Sequence, residues 1–179
     1  KGPEDVFRQL DADGDGKLSP EEFKGLKAMP GAAGTFALRA IGRVKKSEGR
    51  CSIVLDKQYE PGVMGLDQFS HVYVFYWLDR NDTPERRSTL QFEPHPPGDI
   101  PHPPRWGVFA SRFPCRPNVI GMSLCEIRSI HENVIEIGEI DAFADSAVLD
   151  LKPHLPGFDV ARQPRLPDWM PDFVKKRPE

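Results

Sequence analysis

Arg112 and Arg116 stand four residues apart in the stretch WGVFASRFPCRPNVIGMS, which covers residues 106–123. Pro114 and Pro117 fix the backbone angle φ and donate no backbone hydrogen bond, so a strand that runs into a rigid loop is expected here. A rigid loop can hold a guanidinium group where it binds a carboxylate or a phosphate bidentately. The alternative interpretation is structural, with both arginines paired to nearby Asp or Glu side chains that only anchor the turn.

A second candidate site lies in DADGDGKLSPEE, residues 11–22, where oxygen-bearing groups recur at the spacing of a calcium-binding EF-hand loop. Three aspartates occupy loop positions 1, 3 and 5, and a glutamate closes the loop at position 12. The alternative is an acidic turn that binds no metal. A single loop of this kind favours a structural role for calcium over a switch. The predicted ligands are Asp11, Asp13, Asp15, Lys17 through its backbone carbonyl, Ser19 and Glu22.

Composition limits the remaining functions. The chain has 179 residues and a formal net charge of −3, which argues against a broad nucleic-acid-binding face but leaves room for a local basic groove. No apolar run approaches the roughly 20 residues of a membrane-spanning helix, so no membrane role is expected. The three cysteines show no CxxC spacing, so neither a zinc site nor a thioredoxin-like motif is supported.

The elements that must position these residues are short strands without long helices between them, which predicts a closed or nearly closed β-barrel. Residues 71–78 are apolar at both alternations and are expected to be buried on both faces. Residues 93–105 are rich in proline and are expected to form an ordered loop or a lid. The predicted strands are residues 36–44, 51–55, 71–78, 90–92, 106–111, 122–130, 134–140 and 147–151.

The predicted fold class is therefore mainly β, a single barrel preceded by a short helical EF-hand. Residues 1–30 are assigned to the EF-hand and residues 36–160 to the barrel. Residues 161–179 are expected to form a proline-rich C-terminal arm, and the small residues between positions 28 and 35 mark the domain boundary.

Three sequence blocks together resemble one protein family. The blocks are GVFASRFPCRPNVIGMS (residues 107–123), FSH (residues 69–71) with the following VYVFYWLDRND, and DAFADSAVLDLKP (residues 141–153). In their order along the chain these blocks are similar to the TrmO/TsaA-like proteins, S-adenosylmethionine-dependent methyltransferases of modified tRNA adenosine. The resemblance implies a β-barrel that forms a homodimer, holds S-adenosyl-L-methionine near the subunit interface and methylates N6 of threonylcarbamoyladenosine in tRNA.

The resemblance also implies roles for individual residues. Residues at the matching positions would bind the cofactor, and two residues of the RPN segment would orient the loop or meet the substrate. The implied cofactor-binding residues are His71, Val72, Arg112, Met122, Ala144, Asp145, Ser146 and Ala147. The implied substrate-binding residues are Arg116 and Asn118. In-line methyl transfer requires alignment and exclusion of water rather than a protein nucleophile, so no catalytic residue is nominated.

Several positions depart from the family pattern. Asp145 stands where the family has the glycine of Asp-Gly-Thr-Pro, and Ala147 stands where it has the proline; Phe113 replaces a serine and His154 a tyrosine. These changes, with the acidic charge and the calcium loop, leave a second hypothesis: a calcium-stabilised, exported binding protein that has lost or changed catalysis on the same scaffold. A cytoplasmic location is expected for the methyltransferase and an exported or periplasmic one for the alternative.

Overall fold

The computed structural model describes residues 11, 13, 14, 36–93, 105–161 and 163–167. Contacts between Cα atoms divide the chain into two compact units, residues 1–39 and residues 40–179. The predicted lid, except for its ends, and residues 168–179 of the predicted C-terminal arm lie outside the described residues. No helix in the described ranges is long and apolar enough to cross a membrane.

In the first unit, Asp11 is half-buried, and Asp13 and Gly14 are exposed. Gly14 has φ +71°, a left-handed conformation that glycine adopts without steric cost. The other predicted calcium ligands, Asp15, Lys17, Ser19 and Glu22, lie outside the described residues. The calcium site and its ligands therefore stay a prediction.

The second unit is built on a closed barrel of six strands, all neighbours being antiparallel, so the predicted fold class is confirmed. Two further strands, β4 and β5, pair with each other outside the barrel. Around the barrel the order is β1, β2, β7, β6, β3, β8 and back to β1. The strands are β1 (Gly42–Ser47), β2 (Arg50–Leu55), β3 (His71–Trp77), β4 (Gln91–Phe92), β5 (Trp106–Gly107), β6 (Ile120–His131), β7 (Val134–Ile137) and β8 (Ala147–Pro153).

Alternate side chains of each barrel strand fill the interior. On β3 these are Val72, Val74 and Tyr76, and they pack with aliphatic residues of the other strands. Burial of each such Val or Ile side chain contributes about 1.5–3 kcal/mol to folding. The outer face of β3 is only half-buried, so the expectation of burial on both faces is wrong for that face. The reason is that a small closed barrel has one interior, and alternate residues must face outward.

Several predicted strands are shorter than expected, because each needs a neighbour with which to pair; the strand predicted at residues 134–140, for example, ends at Ile137. Residues 36–40 are exposed and precede the first register pair of β1, Gly42 with Val148, so the strand begins at Gly42 instead of position 36. After Gly107 the chain leaves β5 for a 3-10 turn, Val108–Ala110, closed by the Ser111 amide donating to the Val108 carbonyl at 3.3 Å.

Tight turns and short helical segments join the strands. Glu48 and Gly49, with φ +49° and +76°, connect β1 to β2, and Glu132, with φ +53°, lies between β6 and β7. A 3-10 segment, Lys57–Val63, follows β2. The α-helices within the described residues are single turns, α1 (Pro84–Arg87) and α2 (Pro156–Asp159).

The barrel closes where β1 meets β8 over only two register pairs, Gly42 with Val148 and Arg43 with Ala147. Three backbone hydrogen bonds extend this contact: Ile41 to the Val148 carbonyl, Val44 to the Ser146 carbonyl, and Asp145 to the Val44 carbonyl, at 2.8–3.0 Å. The turn before β8 therefore takes part in closing the barrel.

Candidate functional site

Four of the predicted site residues share one cavity of about 870 Å³. Arg112, Arg116 and Asn118 come from the loop between β5 and β6, and Met122 comes from β6. A volume of this size lies within the range typical of small-molecule sites. The walls combine aromatic and acidic side chains, namely Phe75, Tyr76, Phe109, Glu139 and Asp141.

Arg112 is exposed on the cavity wall, and no carboxylate among the described residues pairs with it. Arg116 is half-buried and donates through Nη1 to the carbonyl of Ser111 at 3.4 Å, while its guanidinium carbon lies 6.0 Å from the ring centroid of Phe109. Within the described ranges neither arginine forms the ion pair that the structural alternative required. Arg112 thus presents a positive charge to the cavity.

Aromatic packing supports the loop that carries these arginines. Phe113 stacks on Phe92 of β4 with ring centroids 4.1 Å apart and an interplanar angle of 6°. Phe92 in turn meets Trp106 edge-on at 6.1 Å. Such aromatic pairs contribute about 0.5–1.5 kcal/mol each beyond the area that they bury. The small sheet of β4 and β5 therefore acts as a base for the arginine loop.

Hydrogen bonds fix the far side of the same loop. Arg87 of α1 donates to the carbonyl of Pro117 at 3.0 Å and forms an ion pair with Asp82 at 2.5 Å. The amide of Leu78 donates to the carbonyl of Val119, which is fully buried, at 2.8 Å. The loop is consequently rigid on both sides, as its prolines predict.

Tyr76 separates the barrel core from the cavity. Its ring passes so close to Gly121 that a Cβ at that position would lie 2.4 Å from the Tyr76 Cε2 atom. Its hydroxyl lies 3.4 Å from Ser123 Oγ. Burial raises the pKa of Tyr76, with a further rise from Asp141, against the lowering effects of the Ser123 hydrogen bond and the charge of Arg112. The phenol is therefore neutral at physiological pH.

The turn at residues 144–147 lies beside the barrel closure and does not line the described cavity. Asp145 has φ +68°, the conformation that the family glycine would supply. Its carboxylate pairs with Lys45 at 2.5 Å, and its carbonyl accepts from Arg43 at 2.9 Å. The hydrogen bond from Lys45 is the main cause of a lowered pKa at Asp145. Within this turn the side chain of Ser146 is buried, and its Oγ donates to Asp79 Oδ1 at 3.5 Å.

His71 and Val72 lie at the other end of β3 from Tyr76, and the described chain does not bring them to the cavity. The side chain of Val72 is fully buried in the barrel core. His71 hydrogen-bonds Ser70 Oγ through Nδ1 at 2.9 Å, and its ring centroid lies 6.5 Å from that of His154. His154 Nδ1 lies 3.1 Å from the carboxylate of Asp159.

The comparisons with known proteins agree with this architecture. Residues 40–160 match the family described as the tRNA-methyltransferase O (TrmO) N-terminal domain, and residues 4–27 match an EF hand. The chain belongs to the TrmO family. It carries an added EF-hand segment ahead of the TrmO domain.

The relatives of this TrmO-family chain cover its barrel. It is 36% identical over 117 residues to a protein of Methanocaldococcus jannaschii named a probable S-adenosyl-L-methionine-binding protein, a match that spans 65% of this chain and 90% of the relative. It is 29% identical over 144 residues to the tRNA (adenine(37)-N6)-methyltransferase of Escherichia coli K12, spanning 78% of this chain and 57% of the relative. The chain thus matches well under two thirds of the length of the E. coli enzyme.

The solved structure of TrmO from Pseudomonas aeruginosa shares the fold, with a TM-score of 0.55 at 22% identity. The superposition covers 73% of this chain and 61% of that chain.

Several cavity residues of this TrmO-family domain were not predicted as site residues. Tyr76 could have been found from its alternation with Val72 and Val74 at the end of a core strand that leads to the arginine loop. Asp141 lies in the third resembling block, where it is kept, whereas Ser123 and Glu139 carry no signal in a single sequence. Within the described residues no cluster of three or more His, Cys, Asp or Glu side chains could hold a metal ion.

Proposed function

We propose that the barrel binds S-adenosyl-L-methionine and directs its methyl group to N6 of adenosine in tRNA, with threonylcarbamoyladenosine as the acceptor. The observation that carries the proposal is Arg112, a guanidinium that lines a cavity of about 870 Å³ and has no carboxylate partner among the described residues. Guanidinium groups bind carboxylates bidentately, and the cofactor has one α-carboxylate. Membership of the TrmO family supports the same conclusion.

The cavity offers groups for the other parts of this cofactor. Phe75 and Phe109 provide aromatic surface for an adenine ring, and Glu139 and Asp141 provide negative charge for an ammonium or sulfonium group. When bound, the cofactor supplies an electrophilic methyl group. The chain's own contribution is to bind both molecules, align them in line and exclude water, for which the rigid arginine loop is suited.

Isothermal titration with S-adenosylhomocysteine tests cofactor binding in the full chain. We expect saturable heat, and we expect Arg112→Ala to raise Kd by about 10- to 100-fold, because a hydrogen bond to a charged group contributes about 1.5–3 kcal/mol. Arg128→Ala removes an equal charge from the opposite end of β6 and should leave Kd unchanged. No heat up to millimolar ligand, or an equal loss in both variants, would overturn the proposal.

The acceptor is tested separately by transfer of a labelled methyl group. The substrates are two synthetic anticodon stem–loops, one with adenosine and one with threonylcarbamoyladenosine at the same position. We expect label only in the modified hairpin. Label in the plain hairpin would assign the simpler acceptor, and cofactor binding without transfer to either would favour the repurposed binding protein, for which the altered turn at Asp145 is the supporting observation.

A homodimer is part of the proposed function. Met122 and Leu124 of β6 expose 38% and 45% of their surface beside the half-buried Phe75 of β3, and all three line the cavity. A second copy packed on this face would cover apolar surface and close the open side of the cavity. Light scattering should give twice the chain mass, and Leu124→Glu should give monomers; a monomeric wild-type chain at micromolar concentration would refute the dimer.

We also propose that Ca²⁺ binds residues 11–22. The donor set consists of oxygens alone, which suits a hard cation, and Gly16 stands at loop position 6, where the sharp turn requires glycine. We expect Glu22→Ala to lower the melting temperature in calcium and to have little effect in chelator, since the bidentate ligand matters only when the ion is bound. An equal shift in both buffers would exclude ligation by Glu22.

A further inference from the structure

A further group of arginines, like Arg112, has no carboxylate partner among the described residues: Arg80, Arg86 and Arg116, of which Arg116 also lines the cavity. With the exposed rings of Phe109 and Phe143 they form what we call the arginine surface. Residues 79–93 and 105–118 contain six arginines and four carboxylates, although the whole chain has a net charge of −3. These two segments therefore carry an excess of two positive charges, against the sign of the whole chain.

Contacts between the members make the surface continuous. The guanidinium of Arg80 lies 3.7 Å from the ring centroid of Phe143, whose surface is 49% exposed. Arg86 donates to the carbonyl of Arg80 at 2.7 Å and to Asn81 Oδ1 at 2.8 Å. Asn81 Oδ1 also accepts a contact from the thiol of Cys115, next to Arg116 in the loop, at 3.6 Å.

The geometry points to the arginine surface as the place where a single-stranded RNA loop docks its phosphates and stacks a base. Guanidinium groups without carboxylate partners attract phosphates, and an exposed ring carrying a guanidinium offers a stacking platform that a base recognises. The bases of an RNA loop can stack on the exposed rings of Phe109 and Phe143, which carboxylate side chains alone cannot do. The inference rests on the proposed function, because it assumes that the acceptor base belongs to RNA. It goes further by assigning a binding surface to the nucleotides around that base.

Arg87 forms an ion pair with Asp82 and does not belong to the arginine surface. Arg87 is half-buried, lies 5.2 Å from the ring of Trp77 and holds the Pro117 carbonyl, so its role is structural. Arg80 and Arg86 are both exposed, and Nη1 of Arg86 contacts only neutral oxygens among the described residues. Substitution of Arg80 and Arg86 therefore tests the surface while it leaves the hydrogen bond from Arg87 to the Pro117 carbonyl in place.

The test measures binding of a fluorescein-labelled RNA hairpin with a single-stranded loop to the full chain, by anisotropy at several salt concentrations. Each phosphate contact to single-stranded RNA contributes about 0.7 to the slope of log K against log salt. We expect the double variant Arg80→Gln, Arg86→Gln to lower the slope by about 1.4, so that wild type loses about sevenfold more affinity than the variant between about 50 and 200 mM salt. Phe143→Ala should weaken binding without changing the slope.

The charge-matched control is a second double variant, Arg50→Gln in the β1–β2 hairpin with Arg128→Gln near the far end of β6. Equal slopes for the two double variants, or competition by polyglutamate as strong as by unlabelled RNA, would overturn the inference. Binding of S-adenosylhomocysteine is measured on the same samples. If the wild type binds S-adenosylhomocysteine and the Arg80→Gln, Arg86→Gln variant binds RNA as the wild type does, the arginine surface alone is refuted. If the wild type does not bind S-adenosylhomocysteine, the proposed function is refuted.

Discussion

Gly121→Ala should destabilise the barrel at the wall between core and cavity. The added Cβ would lie 2.4 Å from Tyr76 Cε2 and 2.5 Å from Cζ, whereas carbon atoms in contact prefer about 3.5–4.0 Å. The ring must therefore move by about 1 Å. Tyr76 is 3% exposed and fits among core residues, so it can move only by disturbing them.

The expected cost follows from this lack of space. Overpacking a well-packed core costs about 1–3 kcal/mol, and the displaced hydroxyl also leaves Ser123. Urea unfolding followed by tryptophan fluorescence measures the change. The matched control is Gly62→Ala, where an added Cβ meets nothing within 4 Å, and which should be neutral or stabilise by up to about 1 kcal/mol.

A double-mutant cycle tests the cause. In a Tyr76→Leu background the smaller side chain leaves space for the new methyl group, so Gly121→Ala should cost at least about 1 kcal/mol less than in wild type. The same cost in both backgrounds would mean that the clash with the ring is not the source of the instability, and the account of Gly121 would be wrong.

Further predictions concern single residues of the same barrel. Asp145→Asn should lower the melting temperature at pH 7. The pKa of Asp145 is lowered in the fold, chiefly by the Lys45 hydrogen bond, so the difference in melting temperature between wild type and variant should shrink as the pH falls through that pKa. A difference that persists in acid would contradict the role of the charge. Burial raises the pKa of the Cys125 thiol to about 11, so iodoacetamide at pH 8 should label it only after unfolding, as peptide mapping would reveal. Phe113→Ser should remove the stacking on Phe92 and cost about 1–3 kcal/mol, with faster proteolysis of the arginine loop; unchanged cleavage would show that the stack does not hold it.

The strands were predictable where local sequence and pairing agree. Residues 51–55 and 71–77 alternate or run apolar, and each has neighbours on both sides of the barrel. The prediction that a strand begins at position 36 was wrong because sequence does not specify how far β8 reaches along β1. Pairing between distant parts of the chain decides this boundary.

The candidate site was predictable in part for a similar reason. Arg112, Arg116 and Asn118 lie close in sequence, and their prolines indicate one rigid loop. His71 and Asp145 were grouped with them only through family resemblance, and the chain places His71 at the other end of β3. Asp141 reaches the cavity because β7 and β6 are neighbours in the barrel, a relation that no local pattern reveals.

The short contact between β1 and β8 limits how this protein could be re-engineered. The amide of Asp145 and the carbonyl of Ser146 form backbone hydrogen bonds with Val44, and these bonds belong to the β1–β8 contact that closes the barrel. In directed evolution, substitutions at this turn that weaken the closure of the barrel would be lost because the variants do not fold, whatever their affinity for a new ligand. New specificities should therefore be sought first at Arg112 and its exposed neighbours, where a change of side chain leaves the β1–β8 contact intact.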